Sequence, residues 1–299
     1  MHARRINMQK SAFYMQVACA GKSAKVVCRL VAFFSLAVSL FPFFFLIYSI
    51  FSIDYLQYVY YNITVKCFRL LPLFFYTVFN YFDGGELVER TKIYLIRHGE
   101  SLGNAVRRLL GHTDLDLSPL GYRQADLTAT ALSSVQIDEV YSSDLLRAYN
   151  TALPHAKMRG LEVQGRIELR ELFLGDWEGL RVEEVMHKYG EDAYQKDWRE
   201  GFGVFAFPHG ESVKDGCQRF TSALSEIARH SLGKTILVAA HAAVIRSFYA
   251  RALGIAFEDI AAALPFPANA SYSIVEFDGE SFTPIVFSCD EHLRVLSES

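Results

Sequence analysis

Hydrophobic and polar positions change character along the 299 residues, and each change predicts a different kind of structure. Residues 1–29 carry Arg4, Arg5, Lys10, Lys22, Lys25 and Arg29 and no acidic residue. From Leu30 to Ile53 there is no charge at all, and as a helix these 24 residues would span ~36 Å, more than the ~30 Å hydrocarbon core of a bilayer. A transmembrane helix is predicted, with Pro42 tolerated as a kink. The run is too long for a signal peptide, and no small-residue cleavage site follows it. Residues 55–82 remain apolar but crowd in tyrosines and phenylalanines around Lys66 and Arg69. Two readings stand there, an interfacial helix or a second span over 67–82. Residues 83–90, with Asp83-Gly84-Gly85-Glu86, read as a linker, and a globular domain is expected over 91–299.

Within that domain, runs of buried-strand character alternate with helical periodicity. Ile93-Tyr94-Leu95-Ile96 is a short apolar run that breaks at once into Arg97-His98-Gly99-Glu100, the pattern of a strand ending in a loop that carries chemistry. Ser118-Pro119 offers an N-cap and a proline at N1, predicting a helix from Pro119 to about Leu132. A strand is expected over 138–142 and a helix from Asp144. Val213, Cys217, Phe220, Leu224 and Ile227 recur at steps of four and three, predicting an amphipathic helix over 211–230. Strand 235–240, helix 243–253, and strands 272–277 and 282–287 joined by an Asp278-Gly279-Glu280 hairpin complete the series. Such alternation implies an α/β fold, a mostly parallel sheet flanked by helices on both faces.

Composition refines this picture at three points. The chain is 51% hydrophobic, and the excess over a soluble domain sits mostly before residue 83, which strengthens the membrane reading. A net charge of −3 gives no support for nucleic-acid binding. Cys19, Cys28, Cys67, Cys217 and Cys289 show neither a CxxC nor a metal-like spacing, so no disulfide framework, metal or cofactor is implied.

The candidate chemistry lies in stretches that are weak alone and specific in order. They are Arg97-His98-Gly99-Glu100-Ser101 with Asn104; Ser142-Ser143-Asp144-Leu145-Leu146-Arg147-Ala148; Leu169-Arg170-Glu171-Leu172 before Gly175; Gly210-Glu211-Ser212; and Ala240-His241-Ala242-Ala243. Imidazole beside guanidinium suits a task in which a phosphate is held while a ring nitrogen attacks phosphorus. Together these stretches resemble the histidine phosphatase superfamily, in its phosphoglycerate mutase-like branch, over about 91–287. The resemblance implies that His98 is the nucleophile and Glu171 the proton donor. It also implies that Arg97, Arg147 and His241, with Asn104 as a secondary contact, bind the phosphate. His112, His155 and His209 match no role and read as surface or rim residues, and Trp177 and Trp198 as packing. Two departures stand out. Ala242 occupies a position where the family commonly has glycine, and alanine disfavours positive φ. His209 replaces the glycine often seen before Gly-Glu-Ser.

Phosphatase and mutase share this site. Glycolytic mutases usually have Trp-Asn where this chain has Gly103-Asn104, and carry a basic insertion where it has the apolar Trp198 to Pro208. A phosphomonoesterase is the favoured expectation, with a phosphomutase or a non-catalytic phospho-ligand scaffold as alternatives. The anchor and Phe202, Phe205 and Phe207 suggest a substrate at the membrane, a lipid or glycolipid headgroup or a phosphoprotein. Location in the secretory pathway and location in the mitochondrion both fit the leader. The number of spans would set the side on which the domain lies. Sequons at Asn62 and Asn269 are compatible with a lumen. The oligomeric state is not legible, since this fold occurs both alone and paired.

Overall fold

The computed structural model describes residues 89–296. The predicted anchor over 30–82 and the basic leader lie outside the described residues. Among those described, no helix is long and apolar enough to cross a membrane.

Six strands form one sheet in the order β3-β2-β4-β1-β5-β6. They are β1 (Thr91–Arg97), β2 (Glu139–Ser143), β3 (Val163–Arg166), β4 (Thr235–Ala240), β5 (Tyr272–Phe277) and β6 (Phe282–Cys289). Alternation along β1 shows why the sheet is covered twice. Ile93 and Leu95 enter the core on one face, and Tyr94 and Ile96 the core on the other. Every one of the four is buried, and for side chains of this size burial is worth roughly 1.5–3 kcal/mol each. The first face is covered by α5 (Val213–His230) and α6 (Ala242–Ala252), the second by α3 (Leu146–Arg159), against which α2 (Pro119–Ala131) packs. The smaller helices are α1 (Leu102–Ala105), α4 (Val182–Tyr189) and α7 (Ile260–Ala263).

The cap signal at Ser118 acts as read, and the helix expected over 211–230 begins at Val213 behind a serine cap. Ser118 Oγ accepts the Gly121 N–H at 3.0 Å with Pro119 at N1, and Ser212 Oγ accepts the Asp215 N–H at 3.1 Å. Asp144, by contrast, does not start α3, whose N-cap is Leu145. Its carboxylate is engaged elsewhere, by Arg170 Nε and Nη2 at 2.7 and 2.5 Å. Strand β3 and helix α4 are absent from the pattern read above. Val-Gln-Gly-Arg is short, polar and at the sheet edge, so it carries almost no periodic signal.

The sheet is mixed, its parallel part running through four of the six strands. Strands β1 to β4 are mutually parallel, but β5 runs antiparallel to β1 and β6 antiparallel to β5. The route of the chain explains this. After α6, the loop over 264–271 returns to the carboxyl end of β1, where the Ala270 N–H donates to Arg97 O at 3.0 Å. The next strand must therefore descend.

The aromatic segment before His209 is a packed cap. Phe202 and Phe207 are buried, and Trp198 meets Phe202 and Phe207 at ring-centroid distances of 5.2 and 4.9 Å. Trp177 joins Phe205 at 5.3 Å. Gly175, at φ +54°, permits this closure, since a Cβ there would lie 2.1 Å from Pro208 O. In this cap the phenylalanines pack on one another and on the tryptophans.

Candidate active site

The site lies at the carboxyl ends of the two central parallel strands, the place where open α/β sheets expose backbone and accept ligands. Register pairs Arg97 with Ala240, so His98 and His241 emerge side by side. Their ring centroids are 5.2 Å apart, with an interplanar angle of 61°. Both rings are buried, at 4% and 0% exposure.

His98 is oriented by its own backbone. Nδ1 lies 2.7 Å from Gly99 O, and a carbonyl only accepts, so Nδ1 carries the proton and Nε2 keeps its lone pair. Burial first, then the charges of Arg147 and Arg97, hold the ring well below the usual histidine range, which leaves it neutral at pH 7. The turn that allows this needs Gly99, where a Cβ would stand 2.5 Å from Gly121 O. The Gly99 N–H is held by Thr151 Oγ1 at 3.0 Å, on the helix that carries Arg147.

Arg97 and Arg147 are each held on their outer side. Arg97 Nη1 donates to Pro267 O at 2.6 Å, and Arg147 Nη1 and Nη2 donate to Thr113 O and Gly111 O at 2.9 and 2.6 Å. Their Nε groups are buried with no partner, as are both ring nitrogens of His241. Burial pushes each guanidinium down to about 10, with the Glu171 charge opposing the shift and, at Arg97, the Arg147 charge adding to it. His241 is also held well below the histidine range, by burial and then by Arg147 and His98. Unspent donors of this kind, gathered around a neutral ring, form a cavity that favours an oxyanion.

Glu171 closes the site from the other side. Its carboxylate accepts the N–H groups of Ala243 at 3.1 Å and Val244 at 3.3 Å, and of its neighbour Leu172 at 3.0 Å. It thereby caps α6, whose N-cap residue His241 makes no side-chain cap of its own. Glu171 and His241 thus share one helix terminus. This also resolves the concern over Ala242, which is the first residue of α6 and not among the positive-φ residues. His209, the other departure, does take positive φ, at +52°, and its ring is exposed and paired with Asp176 at 3.1 Å.

Asn104 lies at the edge of this group. Its Oδ1 accepts the Ser101 N–H at 3.2 Å and Asn269 Nδ2 at 3.4 Å. Asn269 also donates to His98 O at 3.1 Å, making it a residue of the site that sequence reasoning missed. Its only signal was a sequon. In the structure its side-chain amide is tied to the backbone of His98. His112, read as a surface or rim residue, is part-buried, with its Nε2 2.8 Å from Glu171 O. His155 is fully buried and far from a rim role.

Comparison with known proteins agrees with this geometry. Residues 93–290 match the histidine phosphatase superfamily (branch 1). Phosphoserine phosphatase 1 of Hydrogenobacter thermophilus is 38% identical over 188 residues, 62% of this chain and 87% of that protein. Phosphoglycerate mutase-like protein 4 of Arabidopsis thaliana is 37% identical over 212 residues, covering 70% and 90%. Among solved structures, a mycobacterial glucosyl-3-phosphoglycerate phosphatase with VO3 superposes with a TM-score of 0.62 at 28% identity, over 67% of this chain and 99% of that one. With the ordered motifs, the paired histidines and the matched span in agreement, this chain belongs to the histidine phosphatase superfamily.

Proposed function

We propose that the domain is a phosphomonoesterase that passes the phosphoryl group through His98 Nε2. The observation that carries this is the set of buried, unspent donors on Arg97, Arg147 and His241 around the lone pair of His98. Two guanidinium charges and a neutral ring suit a phosphate dianion, whose non-bridging oxygens take the free N–H groups. His98 Nε2 attacks phosphorus in line with the leaving oxygen, and the P–O bond to the alcohol breaks. Glu171, in its acid form, protonates the departing alkoxide. As carboxylate it then takes a proton from water, which attacks the phosphohistidine and releases inorganic phosphate. The developing charge stays on the equatorial oxygens, within reach of donors already fixed by Pro267, Thr113 and Gly111.

The relatives' names point to phosphate esters of small hydroxylated compounds, and a soluble ester of that class is the substrate we favour. The cap supports this over a lipid headgroup, because its phenylalanines are turned inward. The basic leader and the uncharged 30–53 support a further proposal, that the domain is tethered to a membrane by its N-terminal region.

The test uses the full chain. Phosphate release from nitrophenyl phosphate and from phosphoserine is measured beside the His98→Ala variant, with acid-labile protein-bound phosphate as the trapped intermediate. Turnover that falls by about 10⁴-fold in the variant supports the reading. A folded chain that binds phosphate yet turns over no better than the variant would favour a scaffold. Transfer to a second alcohol in preference to water would favour a mutase. Extraction of the protein from membranes by alkaline carbonate would count against the tether.

A further inference from the structure

The segment that carries Glu171 is held by an ion pair that touches none of the phosphate-pocket side chains. Arg219 projects from α5 and meets both carboxylate oxygens of Glu211, with Nε to Oε1 at 2.9 Å and Nη2 to Oε2 at 2.8 Å. Its remaining N–H groups reach three backbone carbonyls of one segment. Nη1 donates to Glu168 O at 2.8 Å and Arg170 O at 3.0 Å, and Nη2 to Glu171 O at 3.1 Å. Glu211 adds two bonds to the same stretch. Its Oε2 accepts the Phe173 N–H at 3.3 Å, and its backbone N–H donates to Phe173 O at 2.8 Å. The pair is mostly shielded, at 25% and 18% side-chain exposure.

Glu171 is consequently fixed at both ends. Its carbonyl takes Arg219 Nη2 and His112 Nε2, while its carboxylate rests on the N–H groups that open α6. Only a guanidinium can make this junction, because its planar fork spans a carboxylate and several carbonyls at once, whereas an ammonium is a single point. The neighbouring Arg170 side chain turns the other way, onto Asp144.

We infer that Arg219, oriented by Glu211, is a positioning residue that sets the place of Glu171 for proton transfer to the leaving group. This rests on the reading of Glu171 as proton donor given above. Proton transfer is steep in distance, and a misplacement of about 1 Å can cost on the order of 10²-fold. The ion pair does its work through the backbone, so its loss should weaken the step that needs the proton and spare the phosphate pocket.

Leaving groups separate that role from a merely structural one. kcat/KM reports the steps through phosphoenzyme formation, and nitrophenolate departs with little protonation while an alkoxide does not. The full-length protein and its Arg219→Gln, Arg219→Lys and Glu211→Gln variants are assayed on nitrophenyl phosphate and on ethyl phosphate, with Glu171→Gln as reference. The expected result is a fall of about 10²-fold on ethyl phosphate for Arg219→Gln, with less than about fivefold on nitrophenyl phosphate. Glu171→Gln should show the same selectivity more strongly. Adding Arg219→Gln to Glu171→Gln should then cost nothing further on the alkyl ester. Equal losses on both esters among variants that melt cooperatively would overturn the inference, and so would unchanged kinetics. If Arg219→Gln does not fold, Arg219→Lys and Glu211→Gln decide by the same ratio. A wild-type chain inactive on both esters would sink the phosphatase reading itself. An active wild type whose Glu171→Gln variant lacks leaving-group selectivity would remove the proton donor, and this inference with it.

Discussion

Two histidine pairs stand out among the described residues, one fully buried and one only partly, and only the first has the makings of a catalytic centre. His98 and His241 stand at the carboxyl ends of β1 and β4; His155, on α3, neighbours His292 near the C-terminal end of the described chain. Titration hardly distinguishes them. His155 is fully buried, has no partner for either ring nitrogen, and is pushed down to about 3 by burial and then by Arg159 and His292. His292 is lowered as well, by burial, although its Nε2 lies 2.9 Å from Thr128 Oγ1 and its ring stacks on Tyr272 at 5.6 Å.

The difference lies in the arginines. Near His155, Arg159 donates to the carbonyls of His155, Leu132 and Val135 and serves to hold backbone together. Beside His98, Arg97 and Arg147 each keep a buried Nε free. A depressed histidine pKa therefore reports burial, and a functional site is marked by donors that the fold has brought together and left unused.

The largest test of this contrast is removal of one ring from each pair. His98→Ala should lower turnover by about 10⁴-fold, while His155→Leu should leave it within about twofold, both read from phosphate release. Next come the arginines. Arg147→Lys should cost on the order of 10²- to 10³-fold in kcat and weaken inhibition by vanadate, because a lysine cannot hold Gly111 O and Thr113 O and still present an N–H to phosphate. Arg159→Lys should leave kcat unchanged.

A third test uses pH. The rings of His98, His241 and His155 stay neutral in the fold, whereas in the unfolded chain they take protons near pH 6.5. Below that pH the unfolded chain binds more protons than the native one, so stability present above pH 6.5 is lost as pH falls. The loss is about 1.4 kcal/mol per pH unit per ring, continuing for His155 to about pH 3. Between pH 7 and 5 the wild type should lose ~2 kcal/mol more than His155→Leu in urea titrations. Equal slopes would show that His155 is not the buried neutral ring described.

The smallest loss expected from a site residue is at Asn269. Its amide holds His98 O, and Asn269→Ala should cost about fivefold in kcat, the worth of one hydrogen bond at ~1 kcal/mol, with little change in melting temperature.

Which of these residues were legible beforehand depended on whether their role is local. His98, Arg97, Arg147, Glu171 and His241 lie in short stretches whose order carries the family resemblance, and they do meet in space. Asn269 was not legible as a site residue, because nothing near it in sequence says that the loop over 264–271 returns to His98. Ala242 looked like a defect, since only the start of α6 reveals that the position needs no positive φ. The phenylalanines of the cap were apolar by sequence, and whether they faced lipid or one another was decided by Trp177 and Trp198.

By itself, then, the sequence determined what is written into neighbouring residues. This covers strand and helix periodicity, the cap at Ser118, the apolar run that becomes β1, and the candidate side chains at the strand ends. Tertiary structure decided what depends on return of the chain from a distance. It turned β5 antiparallel, placed the Glu171 carboxylate on the first N–H groups of α6, and set one arginine across three carbonyls. The reason is physical. Periodicity and capping act over a few residues, whereas satisfying a buried donor or carboxylate requires whichever partner the completed fold brings within about 3 Å.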